Sequence, residues 1–534
     1  VTNVDDDFQT MINSYEEEKA KAESKKVNDV LVGQTSQVKQ SQPLEVEEEE
    51  DDKKERHFAT ELRDLILRQD IEFAIDEVKK PFAKLKIGGH YEVHAVTSQS
   101  FKDIVIELAE NEFERVIAKY ALESAIESIS AKARRSKNFK SISIRAKYLP
   151  NDEKIYLDLC NEAWQVVEIS RKGWQIIDNS PIWFKRTDDM DELPMPKFDS
   201  RNKLNVERLK KYINYSNDDN FDLYVSWLLS NLMTDTSVPI LILQGTAGVG
   251  KSFTSELLRT VLDPVRTLKS ISRVKPKIED IVLDTSKNRI LVYDNLSAGT
   301  ITAEISDLFA TIATNSATSK RALYTDDGQI IVKLGRSLLF NGIDDLVKRQ
   351  DLLSRSLVIE LDTLKERKPE NELREGFERD HPYVLGALLN IASTALRNKG
   401  KSTFNKSRFT DWGRFVEDGA SAIGWDSNRF SSLYLGNIEA AQETLIQSNY
   451  FIFGLKEIMD NEHSGKISYY AVPLIEKISN FDFVPKVIAK GAIPHPQKIK
   501  ERLKRDEALL KQIGITWSDS IYEGKTKYTF QKKK

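Results

Sequence analysis

Cysteine is almost missing: Cys160 is the only one in 534 residues, so no disulfide can form within the chain and a reducing, cytoplasmic setting is expected. Cys160 itself reads as a buried structural residue. No apolar run approaches the roughly 18 residues a membrane-spanning helix needs, and the N-terminus has no basic-then-apolar leader, so no membrane partner is expected. Histidine is scarce too. Of the six, only His90 and His94 lie close together, and without a nearby cysteine they indicate no zinc site. A paired-carboxylate metal site of the primase kind is also lacking. Asp189 and Asp191 stand in a proline-rich stretch, and the run Leu157 to Leu159 has one acid.

What is present suffices for packed cores: 40% of residues are hydrophobic and 30% charged, and the length suggests about three or four folding units. The net charge of −4 hides an asymmetry, because residues 1–57 hold 16 acidic and 8 basic side chains. From Gln497 to Lys534 the balance reverses to 11 basic against 5 acidic, a layout that suits a polyanion partner.

Residues 1–57 lack apolar periodicity and are expected to form an acidic disordered tail. Residues 58–200 are read as a helix-then-sheet domain with its linker: helical spacing as far as Arg135, then short strands from Ser141 (ISIRAKYL, KIYLDL, WQVVEI, GWQII, IWFKR). The proline-punctuated DELPMPKFD at 191–199 marks the linker.

The apolar run VPILILQ passes directly into GTAGVGKS and then into the helical FTSELLRTVL, which places GxxxxGK[ST] in a strand–loop–helix setting. Glycines 245, 248 and 250 let backbone N–H groups curl around phosphate oxygens, with Thr246, Ala247 and Val249 completing the loop and Phe253 following it. Lys251 is the candidate for the β- and γ-phosphates and Ser252 for Mg²⁺, so ATP and Mg²⁺ are the expected cofactors. About 40 residues on, RILVYDN offers Asp294 as a second metal-holding acid at a strand tip. The next residue is Asn295, where a water-activating glutamate usually stands. An amide can position water but cannot take its proton, which leaves Glu304 or Asp307 as rival bases. Asn341 ends the strand RSLLFNG, in the place of a polar sensor, and Arg355 in DLLSRS precedes a last strand, with Arg349 as its rival for a cation reaching an adjacent subunit. Between Asp294 and Asn341, Asp327-Gly328 signals a hairpin flanked by Lys320, Arg321 and Lys333, whose acidic tip leaves its DNA contact open.

The order GTAGVGKS, ILVYDN, hairpin, LLFNG, DLLSR resembles the AAA+ core of superfamily 3 helicases and of the primase-helicases and replication ATPases of phages, plasmids and genomic islands. The β-rich stretch from Ser143 looks like the domain preceding the ATPase in such mobile-element proteins. The resemblance implies that Lys251 and Ser252 bind ATP and Mg²⁺, Asp294 holds the metal, Asn341 is sensor 1 and Arg355 is an arginine finger. Asn295 departs from the pattern, and no second sensor arginine stands out.

Past Glu378 the chain reads as a helical bundle, ending in the basic helix PQKIKERLKRDEALLKQIG and a strand–turn–strand. This is the order of a winged helix, with Lys498, Lys500, Arg502, Lys504, Arg505, Lys525 and Lys527 as candidate phosphate contacts. The expected architecture is therefore multi-domain α/β: a P-loop AAA+ core at 201–365 (a parallel sheet flanked by helices), an N-terminal α+β domain, a helical bundle at 366–480 and a winged-helix module at 481–534. The expected activity is an ATP-driven helicase or translocase of mobile-element DNA. Its expected partners are single- and double-stranded DNA, replication proteins, and copies of itself in a ring, a hexamer by resemblance. The alternatives are an origin-binding initiator or helicase-loader switch with slow or no hydrolysis, and an ATP-gated signalling or defence NTPase.

Overall fold

The computed structural model describes residues 44–266, 277–296, 301–315, 334–342, 350–364, 366–405, 407–426, 428–485 and 492–532. It opens with helix α1 (Leu44–Arg68), which starts inside the segment expected to be disordered. Residues 71–95, expected to be helical, instead form an antiparallel sheet of β1 (Ile71–Ile75), β2 (Pro81–Ile87) and β3 (His90–Ala95). The reason lies in β2: Phe82, Ala83 and Leu85 are buried while Lys86 points to solvent, and Gly88 makes the turn at φ 55°. Two helices follow, α2 (Gln99–Phe113), capped by Ser98, and α3 (Lys119–Ser136).

The alternating segments expected as strands do form them. β5 (Ala146–Leu149), β6 (Lys154–Asp158), β7 (Val166–Ser170) and β8 (Gly173–Ile177) make an antiparallel meander, beside a short parallel pair of β4 (Ile142–Ser143) and β9 (Trp183–Phe184). The proline-punctuated stretch at 191–199 has no regular structure, yet it is packed down. Leu193 is buried, its N–H donates to the Leu159 carbonyl, and the Lys197 carbonyl passes so close to Gly386 that a Cβ there would sit 1.9 Å from it.

The central unit contains α4 (Asn202–Glu207), α5 (Asp218–Ser230), β10 (Ile240–Gln244), α6 (Lys251–Thr260), α7 (Ile278–Thr285), β11 (Ile290–Tyr293), α8 (Ala303–Ala313), β12 (Ser337–Asn341), α9 (Gln350–Leu353) and β13 (Ser356–Glu360). Its described strands are parallel in the order β11-β12-β10-β13. Because both faces are covered, the strands are nearly continuous apolar runs rather than alternating ones. Chain order reverses around β10, and the carboxyl ends of strands at such a point open a crevice suited to ligands.

A buried ion pair fastens the meander to this unit. Arg145 is fully buried and donates to Asp263 Oδ1 (3.1 Å) and to the carbonyls of Asp158, Asp191 and Pro264. Asp263, beyond the end of α6, uses Oδ2 to accept the N–H groups of Arg289 and Ile290 at the start of β11 (3.0 and 2.9 Å).

Helices α10 (Glu370–Asn398), α11 (Thr410–Gly419) and α12 (Arg429–Ser448) follow. Asn437 of α12 covers the edge strand β13: its amide donates to the Val358 carbonyl (2.6 Å) and its oxygen accepts the Val358 N–H (3.0 Å). The last module is α13 (Tyr450–Asp460), β14 (Lys466–Tyr470), α14 (Ala471–Ser479), α15 (Ile499–Arg505), α16 (Glu507–Gln512) and the hairpin β15 (Ile515–Tyr522)–β16 (Lys525–Lys532), with sheet order β14-β16-β15. Because β14 pairs with β16, the sheet of this module draws in a strand that precedes residue 481. The expected single basic helix breaks at Asp506, which is buried and accepts hydrogen bonds from Arg502, Arg505 and Asn449.

Candidate nucleotide-binding site

β10 ends at Gln244, and the loop that leaves it is shaped by glycine. At Gly245 (φ 146°) a Cβ would stand 2.9 Å from the Leu361 carbonyl oxygen, so a side chain is excluded by both conformation and space. Gly248 and Gly250 also take positive φ, 81° and 80°. The loop then enters α6 at Lys251, which leaves the first N–H groups of that helix facing the crevice. Thr246, Ala247 and Gly248 are exposed, and Val249 is buried beneath them.

The Lys251 ammonium is curled into the loop, donating to the Gly245 and Thr246 carbonyls at 2.7 Å each. Burial pushes its pKa down, against the opposing pull of Asp294. Ser252 donates its hydroxyl to Asp294 Oδ1 at 2.7 Å. Asp294 follows β11 directly and is 5% exposed. Asn341 ends β12, between the strands that lead to Asp294 and to the loop. Its oxygen accepts the Asn295 N–H (2.9 Å) and its amide donates to Ser255 of α6 (2.9 Å), so one side chain joins both neighbours. Asn295 is exposed in the left-handed region at φ 54°, a conformation asparagine tolerates better than most residues. Glu304 and Asp307 are exposed on α8.

Three residues with no motif to announce them also hold the loop. The Asn214 amide donates to the Val249 and Asp362 carbonyls at 2.8 Å each, Arg367 reaches the Gly248 carbonyl at 3.4 Å, and Arg374, paired with Glu256, lies over the Phe253 ring at 5.2 Å. Only their distance in sequence from the loop hides them. Beside Gly245 and Thr246 a cleft of about 640 Å³ opens between the loop, β13 and α12.

The residues fit a nucleoside triphosphate with its magnesium ion. A ring of left-handed glycines and a helix N-terminus suits phosphate oxygens, and a hydroxyl paired with a buried carboxylate is a hard-oxygen donor set for Mg²⁺.

Arg355 lies elsewhere. It immediately precedes β13, and its carbonyl accepts the Ile240 N–H (2.9 Å), so it sits at the amino end of the sheet. The loop is five residues farther along β10, on the order of 16 Å away. Arg349, Lys320, Arg321, Lys333 and the expected hairpin fall outside the described residues. In the C-terminal module Lys498, Lys504 and Lys525 are exposed and Lys527 half-buried. Lys500 is tied to Asp519 (2.7 Å), and Arg505 reaches Asp506 (3.2 Å).

Residues 206–429 match the family model of the actinomycete integrative conjugative element replication protein. No curated protein matches. Among solved structures, the apo A form of the NrS-1 C-terminal region aligns over 88% of this chain and 99% of its own at 14% identity, with a TM-score of 0.39. SCCmec type IV Cch, described as an active helicase, aligns over 86% and 93% at 10% identity, with a TM-score of 0.43. No helix among the described residues is long and apolar enough to cross a membrane.

Proposed function

We propose that the chain is an ATP-dependent DNA helicase or translocase that serves the replication of a mobile element, with ATP hydrolysed between subunits of a ring. The observation that carries this reading is the linkage of three strand tips at one crevice: Ser252 bonded to Asp294, and Asn341 bonded to both Asn295 and α6. The match to a mobile-element replication family supports the biological setting.

In this reading Lys251 exchanges its two loop carbonyls for the β- and γ-phosphates, and the glycine N–H groups take further phosphate oxygens. Ser252 and Asp294 hold the magnesium ion, which when bound neutralises charge on the phosphates. Asn341 keeps Asn295 in place, and the Asn295 amide orients the attacking water. Arg355 stands too far from its own loop to assist there, so it serves the site of an adjacent copy. The ring, its expected count of six and the winged helix as duplex contact belong to the same proposal.

Steady-state ATP turnover with and without single-stranded DNA tests it, and DNA-stimulated hydrolysis is the expected result. A second reading, a nucleotide switch that binds ATP and hydrolyses it slowly, is favoured by Asn295, since no proton acceptor stands at that position. Tight ATP binding with negligible turnover on any DNA would select the switch.

A further inference from the structure

A second groove, of about 310 Å³, lies between the N-terminal unit and the amino ends of the parallel strands, at the opposite edge of the sheet from the phosphate loop. Four cations line it from four separate segments: Lys80 in the β1–β2 turn, Lys185 just after β9, and Arg289 and Arg336 immediately before β11 and β12. Lys147 also faces the groove but is paired with Asp235 (2.5 Å). On the acidic side stand Asp235 and Glu77, whose fields together with that of Asp263 act on Arg336, and Asp76, whose carboxylate accepts the N–H groups of Val78 and Lys80.

These cations are crowded at an electrostatic cost. Burial, followed by repulsion from Lys80, Lys287 and Arg336, lowers the pKa of Lys185. Burial and then Arg336 push Arg289 down to about 10, against the pull of Asp263 and Asp235. Positive charge held together against its own repulsion is relieved by a counter-anion. The donors, however, are largely spent on backbone: Arg289 on the carbonyls of Asn231, Met233 and Gly335, Arg336 on Thr285 and Gly335, and Lys185 on Ser286. A discrete phosphate is normally gripped by several converging N–H groups. Field without open donors suits a polyanion that passes through and is held by charge alone.

We propose that this groove is a track for the phosphodiester backbone of single-stranded nucleic acid. The biological meaning rests on the strand-translocating reading, whereas binding to the groove can be measured without ATP.

The experiment follows the anisotropy of fluorescein-labelled oligothymidylate on the full chain across a salt series, for the parent, Lys80→Glu, and Lys80→Glu with Lys185→Gln. Lys80 is exposed, so the single variant keeps its fold even if the double variant melts early. The expected result is an affinity loss of about tenfold for the double variant, and a log–log salt slope shallower by about 0.7 for each phosphate no longer neutralised. Binding of a labelled duplex and ATP turnover without DNA should stay at parental values. Unchanged oligothymidylate affinity and slope in Lys80→Glu would overturn the assignment. So would an equal loss on duplex, or displacement of the oligonucleotide as readily by millimolar inorganic phosphate or by polyglutamate. A parent chain that binds oligothymidylate in the groove but turns over no ATP would count against the motor and leave the groove standing.

Discussion

The two edges of the parallel sheet are built on different terms. At the carboxyl edge three candidate side chains each have a partner from the same chain: Lys251 in its loop, Ser252 on Asp294, Asn341 on Asn295 and Ser255. At the amino edge an arginine stands immediately before each of β11, β12 and β13, namely Arg289, Arg336 and Arg355. One edge thus gathers a glycine loop, a hydroxyl and a carboxylate, while the other gathers arginines, of which Arg289 and Arg336 donate to carbonyls of their own chain. In the proposed function, Arg355 at the amino edge of one copy would complete the site at the carboxyl edge of another.

The largest expected effect comes from breaking the carboxyl edge. Lys251→Ala should abolish measurable ATP binding by direct titration and leave the melting temperature near that of the parent, because the side chain bonds only to its own loop. Next is the amino edge: Arg355→Ala should cost roughly 10³-fold or more in turnover, as loss of an arginine finger does, while ATP affinity is retained.

A third change tests how the edges are held in register. Asp263 ties the end of α6 to the start of β11 and is itself paired with the buried Arg145. Arg145→Met leaves that buried carboxylate only its longer pair with Arg259 (3.9 Å) and strips the carbonyls of Asp158, Asp191 and Pro264 of their donor, and it should destabilise the fold by about 3 kcal/mol in denaturant unfolding.

The fourth concerns His381, buried behind α6 and donating to the Val261 carbonyl (3.0 Å). Burial pushes its imidazole down to about 4, below the ordinary value of 6.5. The unfolded chain therefore takes up a proton that the folded one refuses. Stability from this residue is complete above pH 6.5 and falls as pH drops towards 4, by on the order of 3 kcal/mol. Comparing the pH dependence of unfolding in the parent and in His381→Gln should show a shallower slope in the variant across that window.

The glycine loop between β10 and α6 was legible in the sequence because its signal is local: an apolar strand, glycines at fixed spacing and a helix lie consecutively. Asn341 was legible because a strand ending in a polar residue is visible in one short window. β1–β3 were not, since Phe82 and Ala83 are both buried and break a strict alternation, and helical repeats follow at once from 99 to 135. The break at Asp506 depends on Asn449, 57 residues away, and the clamp at Asn214 on Asp362, 148 residues away. Arg145 finds Asp263 across 118 residues. Contacts of that kind follow from packing, which no short window contains.

The most direct test of the two-edge account is a mixing experiment. Lys251→Ala and Arg355→Ala chains, each inactive alone, are combined at varied ratios and their ATP turnover is measured with DNA present. Assembly across copies creates interfaces in which an intact Lys251 faces an intact Arg355, so the mixture should regain activity above either variant alone, with a maximum at an intermediate ratio. Turnover that never rises above the sum of the two inactive variants at any ratio would contradict the claim that the site is shared between copies.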